Sequence, residues 1–400
     1  MVRLACLAAV LAAVLAPTAH AAGRAATIKA LDRQMSRAGW GSGAYVVDLD
    51  RGTPLYARAP DVPRIPASVN KLYTTSTALM RYGDEGQLTT EVLADAEPDE
   101  DGVLKGNLYL VGGGDPEFGR AEARELAHVL AVNGLGRVTR RVIGDESRFD
   151  RLRGGPDSGY GVSEWVGPLS ALSFNHGFTV GDHPHFQRNP PYYAARQLER
   201  ELRRAGVKVR WHARAGVAPA DAPRLGEWAS ERMGVIVRHT NRPSDNFMAE
   251  TLLKDLGADY GTGGTTAAGT AVVRRAAAEL GARPTIVDGS GLSRANRTTP
   301  HDVVDLLVGL DRSDLAESMR LSLAIAGKAG TLSDRMRRSA AKGRCRAKTG
   351  TLNGVSNLAG YCTSRSGARV AFAFLMNGVS VYTAHTLQDR MASVLARYRR

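Results

Sequence analysis

Past its first two dozen residues the chain has no second apolar run of membrane length, and no repeat or low-complexity tract stands out beyond enrichment in Gly and Arg. An integral membrane protein and a repeat solenoid are therefore not expected. Lysine is scarce: only eight of the 53 basic residues are Lys, the rest being Arg. The net charge of +13 suggests nucleic acid, but the arginines are scattered and no recognised binding motif accompanies them, so no nucleic-acid partner is expected. A solvated basic surface drawn to an anionic cell envelope fits better. His176, His183 and His185 fall close together without a complete ligand set, so no metal is expected. Gly261-Thr-Gly263-Gly264 lacks both Rossmann spacing and a Walker lysine, and reads as a turn before a helix. No cofactor is expected.

Cysteine is almost missing too, and its three positions are informative. Cys6 lies in an N-terminal stretch where Arg3 precedes an apolar run from Leu4 to Leu15, then Pro17 and Ala19-His20-Ala21. This predicts a secretory signal over residues 1–21, cut after Ala21, with an apolar run too short to span a membrane. Cys6 does not sit in a lipidated-cysteine consensus. The expected location is extracytoplasmic, whether periplasmic, cell-wall or secreted, where the remaining Cys345 and Cys362 meet an oxidising space. Between them the sequence reads as a hairpin turning at Asn353-Gly354. A two-residue turn there places Cys345 directly opposite Cys362 at a non-hydrogen-bonded pair, where side chains approach most closely. A cross-strand disulfide is predicted; a longer turn would shift the register and leave two buried thiols.

Four hundred residues at 43% hydrophobic and 23% charged suit a soluble protein of two domains, or of one domain carrying an insertion. A helix is predicted over Thr27 to Arg37, then strands over Gly43 to Leu49 and Thr53 to Arg58. A Pro-rich approach leads to Ser68, where a helix runs to Gly83. Three strand-like runs lie between Gly343 and Gly378, and a closing helix carries Leu387, Met391, Leu395 and Tyr398. Strands from both ends are expected to join one sheet covered by the terminal helices. From about Gln87 to Ala222 the character changes, with strands at Thr89 to Ala94, Leu104 to Val111 and Val138 to Ile143, and helices at Ala121 to Ala131 and Tyr193 to Ala205. The predicted class is α+β, a helix-flanked sheet built from residues 22–86 and 223–400, with an accessory domain, 87–222, inserted.

Three strings carry chemistry. Ser68-Val-Asn-Lys71 places a nucleophile and an amine three apart on one helical face, with the helix N-terminus directed at Ser68. Leu72 and Thr75 share the face of Lys71, so the amine should be desolvated and able to accept the serine proton. Ser339-Ala-Ala-Lys342 has the same spacing but lies in an Arg-rich segment with no downstream partners in order. Ser244-Asp-Asn246 follows a helix-like run, Trp228 to Arg238, and a turn at Asn241-Arg-Pro243, and can aim two polar side chains into a cleft; Ser173-Phe-Asn175 matches its form. Lys348-Thr-Gly350 lies on a predicted strand whose edge could receive an extended peptide, with Lys348 attracting a carboxylate and Gly350 leaving room for a close approach of substrate.

In this order the strings resemble the three motifs of penicillin-binding proteins and serine β-lactamases. Pro66-Ala-Ser-Val-Asn-Lys-Leu72, Leu110-Val-Gly-Gly-Gly-Asp-Pro116, Pro168-Leu-Ser-Ala-Leu-Ser-Phe-Asn175, Asp288-Gly-Ser-Gly-Leu-Ser-Arg294 and Lys348-Thr-Gly-Thr-Leu352 narrow the resemblance. They are similar to the low-molecular-mass class C penicillin-binding proteins, the D-alanyl-D-alanine carboxypeptidase/endopeptidase family, which also carries an insertion between its first two motifs. The resemblance implies an exported enzyme acting on peptidoglycan stem peptides and acylated by β-lactams. It implies Ser68 as nucleophile, Lys71 as base, Ser244 as proton relay with Lys71, Asn246 as amide binder and Lys348 as electrostatic element. Thr349 and Thr351 would meet the terminal carboxylate, the N–H groups of Ser68 and Thr351 would form an oxyanion hole, and Arg294 would contact the stem-peptide side chain. The rival readings are a β-lactamase, whose class A form needs a shorter gap and a deacylating glutamate motif, and an envelope-binding protein without turnover.

Overall fold

The computed structural model describes residues 23–400, so the predicted leader and Cys6 lie outside the described part. A six-stranded antiparallel sheet orders its strands Ala324–Ile325, Cys345–Leu352, Val355–Thr363, Arg369–Asn377, Ser42–Asp48 and Thr53–Arg58. The two ends of the chain meet at its centre, where Val46 faces Phe372. The run Val370–Met376 is buried on both faces and its alternation assigns each side chain to one of them. Val370, Phe372, Phe374 and Met376 pack with Leu31, Met35, Leu387, Met391 and Leu395 of the terminal helices Arg24–Met35 and Val381–Leu395. Small residues at the alternate positions, Ala371 and Ala373, let the opposite face approach the helix Pro300–Asp311. That second face also carries the helices Lys71–Tyr82, Met233–Asn241, Asn246–Tyr260 and Thr266–Glu279.

The hairpin has the predicted register, with Leu352 opposite Val355 and Cys345 opposite Cys362. The two cysteines are disulfide-bonded with Cα atoms 4.1 Å apart, the closeness expected of a non-hydrogen-bonded pair.

The chain between the first two motifs builds its own sheets. A five-stranded one runs Arg224–Ala229, Thr89–Ala94, Leu108–Val111, Val142–Asp145 and Arg214–Ala215; a three-stranded parallel one holds Val103–Leu104, Arg137–Val138 and Lys208–Val209. The helices Arg120–Val132 and Pro190–Arg204 close a separate apolar core over them. Two runs expected as single strands are split here. Leu104 to Val111 breaks before Asn107, whose backbone N–H donates to the Asp95 carboxylate at 2.7 Å, and its halves enter different sheets. Val138 to Ile143 divides between the same two sheets. The expected helix from Trp228 to Arg238 begins only at Met233, because Arg224–Ala229 pairs with Thr89–Ala94 as an edge strand. That strand lies past residue 222.

Candidate active site

The Pro-rich approach is held to the central sheet before it reaches Ser68. Asn357 donates from Nδ2 to the carbonyls of Ile65 (2.9 Å) and Pro66 (2.7 Å), and the Ile65 N–H donates to Asn377 Oδ1 at 2.9 Å. Ala67 then takes a left-handed backbone, φ 46°, which turns the chain sharply into a single 3-10 turn, Ala67–Asn70. Ser68 sits in that turn, and Lys71 is the first residue of the α-helix that follows.

Lys71 is fully buried and its amine has three partners. Nζ lies 3.1 Å from Ser68 Oγ, 2.6 Å from Asn246 Oδ1 and 2.7 Å from the Ser290 carbonyl. The two shorter contacts are to oxygens that can only accept. A neutral amine has two hydrogens and one lone pair, so donating to Asn246 and Ser290 leaves the lone pair facing Ser68 Oγ. That is the orientation a base needs in order to take the serine proton. Asn246 is itself oriented, since its Nδ2 donates to the Trp165 carbonyl at 2.9 Å and so turns Oδ1 toward the lysine. Burial pulls Lys71 down to about 8, while the charges of Asp288, Glu250 and Asp245 act the other way.

Ser244 also has a left-handed backbone, φ 70°, a strained conformation costing about 1 kcal/mol or more that holds its hydroxyl in the cleft. Asp245 N-caps the next helix, accepting from the Met248 N–H at 2.8 Å, and this places Asn246 in the first turn. Ser244 Oγ accepts from Lys348 Nζ at 2.8 Å. Its bonded lysine is therefore the one on the strand and not Lys71, as the expected relay had it. Lys348 is fully buried and also donates to the Thr349 carbonyl at 2.9 Å. Burial, followed by the nearby Lys71 charge, holds it well below the ordinary lysine value.

Strand Ala324–Ile325 pairs only with Arg346 and Ala347, which leaves the edge from Lys348 onward open. The register sets which backbone groups use that edge. Cys345 is non-hydrogen-bonded with its hairpin partner, so by alternation Thr349 and Thr351 are too, and the Thr351 N–H points to the open side. Thr349 and Thr351 line a cleft of about 690 Å³ with Ser68, Ser244, Asn246 and Trp165. Thr349 is anchored by a 2.8 Å hydroxyl bond to Thr331. Gly350 does something different from the expected clearance for substrate: a Cβ there would lie 2.6 Å from the Pro66 carbonyl oxygen and 3.1 Å from the Ser68 nitrogen. The glycine lets the strand pack against the nucleophile turn. Arg294 is exposed on the hairpin side, donating to the Asn353 carbonyl at 3.1 Å.

The competing strings fall elsewhere. Ser339 and Lys342 lie in turns with Lys342 exposed, and Ser173 is buried, donating to the Ser170 carbonyl at 2.8 Å. Sequence reasoning missed Glu250, Asp288 and Trp165. Glu250 is buried, and its carboxylate accepts from the N–H groups of Gly289 (3.1 Å) and Ser290 (2.8 Å). Desolvation, then the Asp288 charge, pushes it up to about 7. Its signal was available: Glu250 is four residues beyond Asn246 and so shares its helical face. Trp165 acts through its backbone carbonyl, which leaves no mark in side-chain chemistry.

Comparison with known proteins shows the family of the chain. The model of the D-Ala-D-Ala carboxypeptidase 3 (S13) family matches residues 25–179 and 185–398. A D-alanyl-D-alanine carboxypeptidase of Actinomadura sp. is 30% identical, the match covering 89% of this chain and 81% of that protein. Carboxypeptidase DacB of Mycolicibacterium smegmatis is 31% identical, over 88% and 79% respectively. Penicillin-binding protein 4 of Haemophilus influenzae has the same fold, with a TM-score of 0.77 at 21% identity, covering 91% of this chain and 98% of that one. The chain belongs to the D-Ala-D-Ala carboxypeptidase 3 (S13) family of serine-type hydrolases.

Proposed function

We propose that this protein is an exported serine D-Ala-D-Ala carboxypeptidase of peptidoglycan, able to cut cross-linked stem peptides by the same chemistry. The observation that carries the reading is Lys71 Nζ 3.1 Å from Ser68 Oγ and beside two obligate acceptors, which would occupy both hydrogens of the neutral amine and leave its lone pair for the serine. Ser68 attacks the carbonyl of the penultimate D-alanine while Lys71 takes its proton, forming a tetrahedral oxyanion. The N–H groups of Ser68 and Thr351 stabilise that oxyanion. Collapse of the intermediate breaks the peptide bond, and the proton that Lys71 took from Ser68 passes by way of the Ser244 hydroxyl, which accepts from Lys348, to the departing amine of D-alanine. Water then hydrolyses the acyl-enzyme. Asn246 binds a substrate amide, Thr349 and Thr351 meet the terminal carboxylate beside Lys348, and Arg294 reaches the stem-peptide side chain from the rim. Gly350 supports this site by packing. β-Lactams acylate Ser68 and leave slowly.

Residues 22–86 and 223–400 form the catalytic unit of this reading and 87–222 the accessory one, with Arg224–Ala229 as the returning edge strand. Export rests on the leader pattern of residues 1–21 and on the Cys345–Cys362 disulfide, which suits an oxidising compartment. Among the described residues no helix is long and apolar enough to cross a membrane.

Fluorescent penicillin labelling of the wild type and of Ser68→Ala tests the reading. Covalent label on the wild type alone is expected, with release of D-alanine from a pentapeptide. A well-folded wild type that takes no label would overturn it, and rapid turnover of the label without D-alanine release would point to a β-lactamase.

A further inference from the structure

Lys71 receives one of its two orienting acceptors, the Ser290 carbonyl, from a loop that three other elements hold in place. Asn70 Nδ2, from the 3-10 turn of the nucleophile, donates to the Asp288 carbonyl at 2.8 Å, and Thr74 Oγ1, from the helix that follows, to the Gly289 carbonyl at 2.9 Å. Asp288 closes the loop on itself, accepting from the N–H groups of Gly291 (2.8 Å) and Ser293 (2.6 Å). From the opposite side comes Glu250, on the helix that begins with Asn246. Its carboxylate takes the N–H groups of Gly289 and Ser290, so the peptide chain at Ser290 is gripped at its nitrogen while its carbonyl faces the lysine.

We propose that Glu250 is a positioning residue for the base: by holding the Gly289 and Ser290 N–H groups it aims the Ser290 carbonyl at Lys71 Nζ, and when ionised it sets a negative charge beside the amine that must take up the Ser68 proton. This rests on the peptidase reading above. A helix carrying both Asn246 and Glu250 thus supplies one acceptor to Lys71 directly and the other through a backbone carbonyl. The charged groups around this point come from each neighbouring element. Lys71 faces it from the nucleophile helix and Asp288 from the loop. Asp245 and Lys254 lie on its own helix, Lys254 being paired with Asp150 at 2.6 Å. Lys348, on the strand, is close enough to feel the Lys71 charge.

Glu250→Gln keeps an oxygen able to accept from the Ser290 N–H and removes the charge. Removing an anion beside an amine disfavours the ammonium form, so Lys71 should lose its proton at lower pH. The experiment measures the second-order rate of acylation by a fluorescent penicillin from pH 5 to 10. In parallel, [13Cε]lysine resonances are titrated in the full protein, with Lys71 assigned by its loss in Lys71→Met; eight lysines keep that spectrum readable. In the wild type, acylation should fall as pH drops through about 8, where Lys71 becomes protonated. In Glu250→Gln both the acid limb and the Lys71 midpoint should move down by roughly one pH unit, as loss of one nearby charge does. Glu250→Asp keeps the charge but retracts it, so the limb should stay and the plateau rate should fall. A purely structural glutamate would lower the rate at every pH and move neither midpoint, and that result in folded variants overturns the proposal. A wild type that is not acylated overturns the peptidase reading instead, and the lysine titration, which needs no turnover, still decides the role of Glu250.

Discussion

The floor of the cleft and its strand wall each contain a fully buried lysine, yet they treat it differently. On the floor, Lys71 is surrounded by carboxylates: Asp288, Glu250 and Asp245 all favour its charged form and offset part of the cost of burial. On the wall, no carboxylate among the described residues offsets the burial of Lys348; repulsion from Lys71 adds to it, and both lower its affinity for a proton. An amine that must both take and return a proton needs an affinity near the working pH, which opposed effects of similar size can produce. An amine meant to meet an anion needs a vacancy for charge, and a substrate carboxylate brings the missing counter-ion. The strand wall is in that sense completed by its ligand, whereas the floor is complete beforehand.

Exchanging either lysine for an uncharged residue of similar length breaks the symmetry between the two. Lys71→Met should lower the acylation rate by on the order of a thousandfold, the contribution expected of a positioned general base, whichever acylating agent is used. Lys348→Met should cost about a hundredfold with carboxylate-bearing penicillins and peptides, and clearly less with a neutral thioester that lacks the carboxylate. Equal losses with both reagents would remove the distinction between wall and floor. The two regions touch at Gly350, so Gly350→Ala should push the strand off the Ser68 turn and slow acylation by roughly tenfold, close to the effect of a sub-ångström misplacement of reacting groups. The smallest effect on rate belongs to the far end of the same strand. Replacing Cys345 and Cys362 by Ser should leave acylation at 25 °C nearly unchanged while removing about 3 kcal/mol of stability, read from denaturant midpoints, as expected for a loop of this length.

The segment 87–222, the accessory unit of the proposed reading, reaches the partners of Lys71 through a backbone atom. The Trp165 carbonyl turns Asn246 so that its oxygen faces Lys71, which makes the orientation of the base depend on a segment outside the catalytic sheet. Nothing in the identity of Trp165 announces this, since any residue has a carbonyl.

Legibility followed range. The hairpin at Asn353-Gly354 could be read to the exact pair because turn length and the two-residue strand period determine everything from the turn outward. The helix after Ser68 and the terminal helices were legible for the same local reason, through spacing of apolar side chains, whereas the 3-10 turn that holds Ser68 was not. Leu104 to Val111 misled because the break near Asn107 is made by Asp95, whose carboxylate no periodicity can register. Gly350 reads from the sequence as clearance for substrate, whereas the atoms closest to it belong to the nucleophile turn.

The order of the motifs, the disulfide register and the presence of a nucleophile three residues before a lysine are properties of neighbouring residues, and the chain carries them before it folds. Whether that lysine is a base is another matter. Its acceptors lie 175 and 219 positions away, and Lys342, spaced in the same way from Ser339, remains exposed. Proton affinity depends on solvent exclusion and on charges within a few ångströms, and those distances exist only once distant segments have packed together.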